Sequence, residues 1–136
     1  MAVDVGVRDL IRSYARLRDS ATQTSGSAAS LLLCYGVECG MKAAYLKRVS
    51  ARGTQDLPPD VRNHDLRNIA KKLRLDASHT SQLIPCRRGH TNQARVEPHH
   101  LHEAWRYGAV LHDEDERCAL EALEKLSKWC REEHSR

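Results

Sequence analysis

The sequence predicts a single all-α domain over residues 1–136, built as an up-and-down bundle of about four helices with one long irregular loop at about 76–98. Three observations predict it. Apolar residues recur at three- and four-residue steps near both ends of the chain, the spacing of one helical face. Residues 28–47 are apolar on nearly all sides and hold no proline, which suits a helix in the middle of a domain. No strand-type alternation, internal repeat or Gly-rich phosphate loop competes with that reading.

Residues 3–22 place Val3, Val7, Leu10, Ile11, Tyr14, Leu17 and Ala21 on one face, an amphipathic first helix. Arg8, Arg12 and Arg16 line another face at four-residue spacing, as a solvated surface or a contact for phosphates. Ser25-Gly26-Ser27 breaks the pattern and caps the central helix. Within that helix Glu38 and Lys42 sit four apart, an acid-then-base pair on one face. Gly36 and Gly40 leave a smooth strip on which a neighbouring helix can approach closely.

Loop chemistry follows from Arg52 to Asp60. A third helix is expected over about 63–75, where Leu66, Ile69, Ala70 and Leu73 share a face, with Asn63 as its cap and Asp65 complementing the dipole. No period holds from 76 to 98. A short helical piece is expected over 99–107. Asp113-Glu114-Asp115-Glu116 then opens the last helix with acids at its positive end, and Ala119, Ala122, Leu123, Leu126, Trp129 and Cys130 form its apolar face.

The net charge of +4 is unevenly spread. Nine basic against four acidic residues over 61–106 leave that segment at +5, with six of the eight histidines, whereas 107–136 carries −3. A basic, histidine-rich centre suits a polyanionic partner such as phosphate or nucleic acid, or a solvated loop region. Five cysteines is an odd number, and the first thirteen residues are charged rather than signal-like. Reduced thiols in a cytoplasmic protein with no membrane span are the expectation.

The string Leu33-Cys34-Tyr35-Gly36-Val37-Glu38-Cys39-Gly40-Met41-Lys42-Ala43, then His64-Asp65-Leu66 opening a third helix, then Trp105-Arg106-Tyr107 before a final helix, resembles the HEPN superfamily (higher eukaryotes and prokaryotes nucleotide-binding domains). The likeness runs from about residue 27 to 130. It implies a helical bundle that forms a homodimer, RNA or nucleotide as ligand, and no cofactor. Many members are metal-independent endoribonucleases in toxin–antitoxin or antiviral defence settings. Their active motif is an arginine and a histidine about four to six residues apart, joined by a second copy across the dimer interface.

Arg106 and His112, with five residues between them, fit that spacing best. Arg95 and His100 form a second-choice pair, in which Pro98 argues against a continuous helix. RNA cleavage by its own 2′-hydroxyl needs a group that takes and returns protons near neutral pH, which is a property of histidine. It also needs a fixed positive charge on the phosphate, which arginine supplies as a fork. His112 is therefore the expected acid/base and Arg106 the phosphate ligand, with Glu38, His64, Asp65 and Tyr107 in support. The simpler alternatives pair Arg106 with Glu103, leave His112 beside the helix cap, and make His64-Asp65 a cap as well.

Tyr107 stands where the family tends to place a polar residue. Relatives with an Arg-Tyr pair at this point often lack the histidine. The rival expectation is thus a catalytically silent helical module that binds a partner protein or nucleotidyltransferase. Cys86, His90, His99, His100 and His102 offer metal donors, but a single cysteine and irregular spacing predict no metal site. Trp105 and Tyr107 lie next to basic residues, as a stacking pair for bases or, for Trp105, as part of the core.

Overall fold

The computed structural model describes residues 3–89 and 91–136. In chain order it has α1 (Val7–Thr22), α2 (Gly26–Arg48), α3 (Leu66–Lys72), β1 (Cys86–Arg88), β2 (Thr91–Val96), α4 (Leu101–Tyr107) and α5 (Asp113–His134), joined by short 3-10 turns. The fold is mostly helical, but among the described residues it has five α-helices and a two-stranded sheet rather than a plain four-helix bundle.

α2 is the central element, packed against α1, α3, α4 and α5. Its Val37, Met41, Ala43 and Leu46 are fully enclosed, and they meet Ile69 of α3, Leu101 and Trp105 of α4, and Leu123 and Leu126 of α5. Trp105 lies in this core with its indole N–H donating to Glu116 at 2.8 Å. Trp129, expected as core, is half-buried instead, with the Arg48 guanidinium 5.6 Å from its ring.

The small-residue strip on α2 seats its neighbours. A Cβ added at Gly36 would lie 3.2 Å from Leu17 Cβ of α1. One at Gly40 would lie 2.8 Å from Cys130 Sγ of α5 and 3.0 Å from Tyr14 Cδ1 of α1. The same junction is tied by polar contacts. Tyr14 donates its hydroxyl to the Ser127 carbonyl at 2.6 Å, and the His134 ring lies edge-on to Tyr14 and bonds the Gly40 carbonyl through Nε2 at 3.1 Å. Gly40→Ala should therefore lower stability by about 1–3 kcal/mol through overpacking, and Gly36→Ala by less. Urea midpoints check this; a Gly40→Ala midpoint equal to wild type would mean that α1 and α5 yield freely.

Two sequence expectations need correction. The third helix starts at Leu66, not near 63, because Asp65 rather than Asn63 is its cap. Asp65 accepts from Arg67 N at 3.1 Å and Asn68 N at 3.3 Å, while Asn63 Oδ1 braces the turn by accepting from Asp65 N at 3.0 Å. The stretch 76–98 is not wholly irregular either. It contains the antiparallel hairpin β1–β2, pairing Cys86 with Val96 and Arg87 with Arg95 and bulged between Arg87 and Arg88. Three-residue pairing with a bulge is too short to write a period-2 signature. Its support is tertiary: Gly89 N donates to Val110 O and His112 N to Arg87 O, both at 2.8 Å, so β1 is bound on both sides. Gly108, at φ 73°, ends α4 in the left-handed conformation and turns the chain back to make those bonds.

No helix among the described residues is long and apolar enough to cross a membrane. All five cysteines are free. Burial pushes Cys34, Cys86 and Cys130 up to about 12 and Cys39 up to about 11, which keeps these thiols protonated near neutral pH.

Candidate functional site

One cluster joins three helices. From α2, Tyr35, Glu38 and Lys42 project at steps of three and four residues, hence on one face. The Glu38 carboxylate divides its oxygens: Oε2 accepts from Lys42 Nζ at 2.8 Å and Oε1 from His64 Nδ1 at 2.6 Å. Both acid and lysine are nearly enclosed, with side chains 13% and 10% exposed. His64 directly precedes the Asp65 cap. The pair thus splits its duties, with Asp65 closing α3 and His64 turned into α2.

From α4 come His102 and Arg106, four apart on one face. The His102 ring lies 4.0 Å from that of His64, and Tyr35 lies 6.0 Å from His64 and 6.2 Å from His102. Arg106 donates to the Tyr35 hydroxyl, with its guanidinium 5.8 Å from the Tyr35 and Tyr107 rings. Those tyrosine contacts, Tyr35 first, raise its pKa further, so it is charged at any working pH.

The two imidazoles differ in environment. The His64 side chain is 42% exposed. His102 is only 5% exposed, and its ring makes no hydrogen bond among the described residues. Burial, and then the neighbouring His64, lower the pKa of His102, which keeps it neutral near pH 7. In the neutral tautomer that donates Nδ1–H to Glu38, the other ring nitrogen, Nε2, is the acceptor.

Next to this cluster Glu38, Lys42 and His64 form one wall of a cleft of about 380 Å³, whose other side is Val5, Leu10 and Leu57. Such a volume suits a small organic group. Arg62 sits at its edge, fixed by bonds to the Leu57 and Gln55 carbonyls at 2.8 and 2.7 Å.

The other expected residues lie elsewhere. His112 precedes α5, and its Nδ1 is 3.3 Å from Arg87 Nη2 and 3.9 Å from Asp115 Oδ1. Among the described residues no hydrogen bond or ion pair joins it to Arg106, and none joins Arg106 to Glu103. Arg95 and His100 do share a surface, a groove of about 600 Å³ between β2 and α4 that also includes Tyr107. The metal donors diverge. Cys86 is buried, the His99 ring lies tilted 4.1 Å from that of His100, His102 turns inward, and His90 lies outside the described residues. Among the described residues no three His, Cys, Asp or Glu are placed to hold a metal ion.

Sequence reasoning gave no role in this site to Tyr35, and treated His102 only as a metal donor. The i,i+4 step from His102 to Arg106, the same as from Glu38 to Lys42, was the signal for placing His102 beside the arginine. Comparison of this chain with protein-family models, with curated proteins and with solved structures gives no match.

Proposed function

We propose that this chain is a HEPN-like helical domain that acts as a homodimer, binds RNA and cleaves it without a metal ion at the Glu38–His64–His102–Arg106 cluster. One observation carries the reading: a half-exposed imidazole, held by a carboxylate at 2.6 Å, shares the neighbour Tyr35 with an exposed arginine on α4. A carboxylate–imidazole pair sets the tautomer and aims the free nitrogen outward. The arginine adds a permanent charge for a phosphate.

In this scheme the ribose 2′-hydroxyl loses its proton to His64 Nε2 and its oxygen attacks the adjacent phosphorus. The P–O5′ bond breaks, the 5′-oxygen takes the proton back from His64, and a 2′,3′-cyclic phosphate remains. Arg106 neutralises the charge that gathers on the non-bridging oxygens. His102, neutral and tilted against His64, supports the ring without adding a repelling charge. His112, tied into the Arg87–Asp115 pair, has no step here. A toxin–antitoxin or antiviral role accompanies this activity.

Purified protein incubated with RNA in excess chelator tests the reading. Cyclic-phosphate ends are expected, with His64→Ala slowing cleavage by about 10²–10⁴-fold and His112→Ala leaving it unchanged. Loss of cleavage in His112→Ala but not in His64→Ala would move the centre to a site shared between two copies. No cleavage of any RNA would favour the second reading, a silent module that binds a partner protein or nucleotidyltransferase. That reading draws on the exposure of Tyr107, 76%, at the end of α4, and of Val110, 67%, just beyond it.

A further inference from the structure

We infer that the cleft of about 380 Å³ beside Glu38 binds a small organic acid, with its apolar body in the cleft and its carboxylate on Arg62. The inference does not depend on RNA cleavage.

The cleft is built in advance of any ligand. Its apolar lining is the surface of the core itself, since Leu10 and Leu57 are buried. α2 supplies Glu38, Cys39 and Lys42 along one wall. The chain ahead of α1 is stitched to the loop that follows α2. Val5 N donates to Thr54 Oγ1 and Thr54 N to Val5 O, both at 2.9 Å, and Gly6 bridges Gly53. Walls fixed in this way lose little freedom when a ligand enters. An apolar lining with a few fixed polar groups is the make-up of a small-molecule site.

Charge selects the head group. Arg62 spends Nε and Nη2 on two main-chain carbonyls, which hold its guanidinium still and leave Nη1 unused. No acid pairs with it among the described residues, because the acids nearby are committed elsewhere. Glu38 holds Lys42 and His64, Asp4 accepts from Gln55 N at 2.9 Å, Asp56 from Arg52 N at 3.1 Å, and Asp60 pairs with Lys72 at 3.3 Å. Within the lining Glu38 and Lys42 cancel, so the Arg62 guanidinium is the permanent charge left without a partner. One carboxylate balances one guanidinium and matches its flat shape. A phosphate dianion would bring surplus negative charge toward Glu38. The body of the ligand must then be apolar, a ring or branched chain, to cover Val5, Leu10 and Leu57.

The test titrates phenylacetate into the full chain, followed by ligand-observed NMR and by the ring signals of His64, which are identified with His64→Gln. Saturable binding is expected with a dissociation constant at or below about 1 mM, and the His64 signals should move because that ring lies on the cleft wall. Phenylacetamide keeps the ring but loses the charge, and should bind about tenfold more weakly. Arg62→Gln should weaken the acid about tenfold and leave the amide unchanged. The comparison of acid with amide uses the wild-type chain, so it stands even if that variant fails to fold. An amide that binds as tightly as the acid would overturn the role of Arg62. Saturable binding that leaves His64 unmoved would put the ligand elsewhere, and no binding at about 10 mM would overturn the inference altogether. Uridine monophosphate that displaces phenylacetate and binds more tightly would reassign the cleft to a nucleotide. No readout uses RNA, so a protein that cleaves none still tests the inference.

Discussion

Glu38→Ala is expected to lower folding stability by about 3 kcal/mol, because it strands Lys42 as an enclosed charge with no counter-ion. The pair itself is worth less than that. Removing both charges at once, as Glu38→Leu with Lys42→Met, should recover most of the loss, since two apolar side chains of similar volume replace the ion pair. Function should not follow stability. Both variants deprive His64 of the carboxylate that orients it, so the proposed RNA cleavage should stay depressed in the double variant even where its urea midpoint returns. A Glu38→Ala midpoint within about 0.5 kcal/mol of wild type would show that water reaches Lys42 and that the pair is a surface contact.

The second large effect is at Asp115, which anchors the hairpin to the start of α5. Its carboxylate accepts from Arg87 Nε at 2.9 Å, from Arg87 Nη2 at 3.0 Å and from the Arg87 backbone N at 2.8 Å. These bonds, the side-chain ones first, hold the acid far below the usual carboxylate range. A depressed native value means that the unfolded chain takes up the proton first. The stabilisation is therefore complete above the unfolded value of about 4 and is lost as pH falls below it. Asp115→Asn should be less stable than wild type by about 1–3 kcal/mol near pH 7, and the two should converge toward pH 2. Urea denaturation at a series of pH values measures the gap. A gap that stays constant from pH 7 to pH 2 would assign the loss to packing and not to the ion pair.

Much of the chain was legible because its helices obey simple periodicity. The all-round apolar run of α2 foretold a central rod, and Glu38 with Lys42 foretold the ion pair on it. The acids of 113–116 marked the start of α5, although two of them are claimed by distant groups, Asp115 by Arg87 and Glu116 by Trp105. Such claims are invisible in sequence because they join residues many positions apart. The hairpin was illegible for the same reason, since bonds from Val110 and His112 hold strands whose own pattern is too short.

The candidate site divides along the same line. Sequence singled out Arg106, Glu38 and His64, and local spacing alone sufficed to put Glu38 beside Lys42. Only the packing of α3 and α4 against α2 decided that His64 meets Glu38, that His102 packs against it, and that Arg106 leans on Tyr35 while His112 turns to Arg87. By itself the sequence determined which segments become helices and which of their faces are oily, because those follow from neighbours three and four residues away. Which imidazole stands beside which carboxylate was decided by tertiary structure, because helix packing, not chain distance, sets contacts between separate elements.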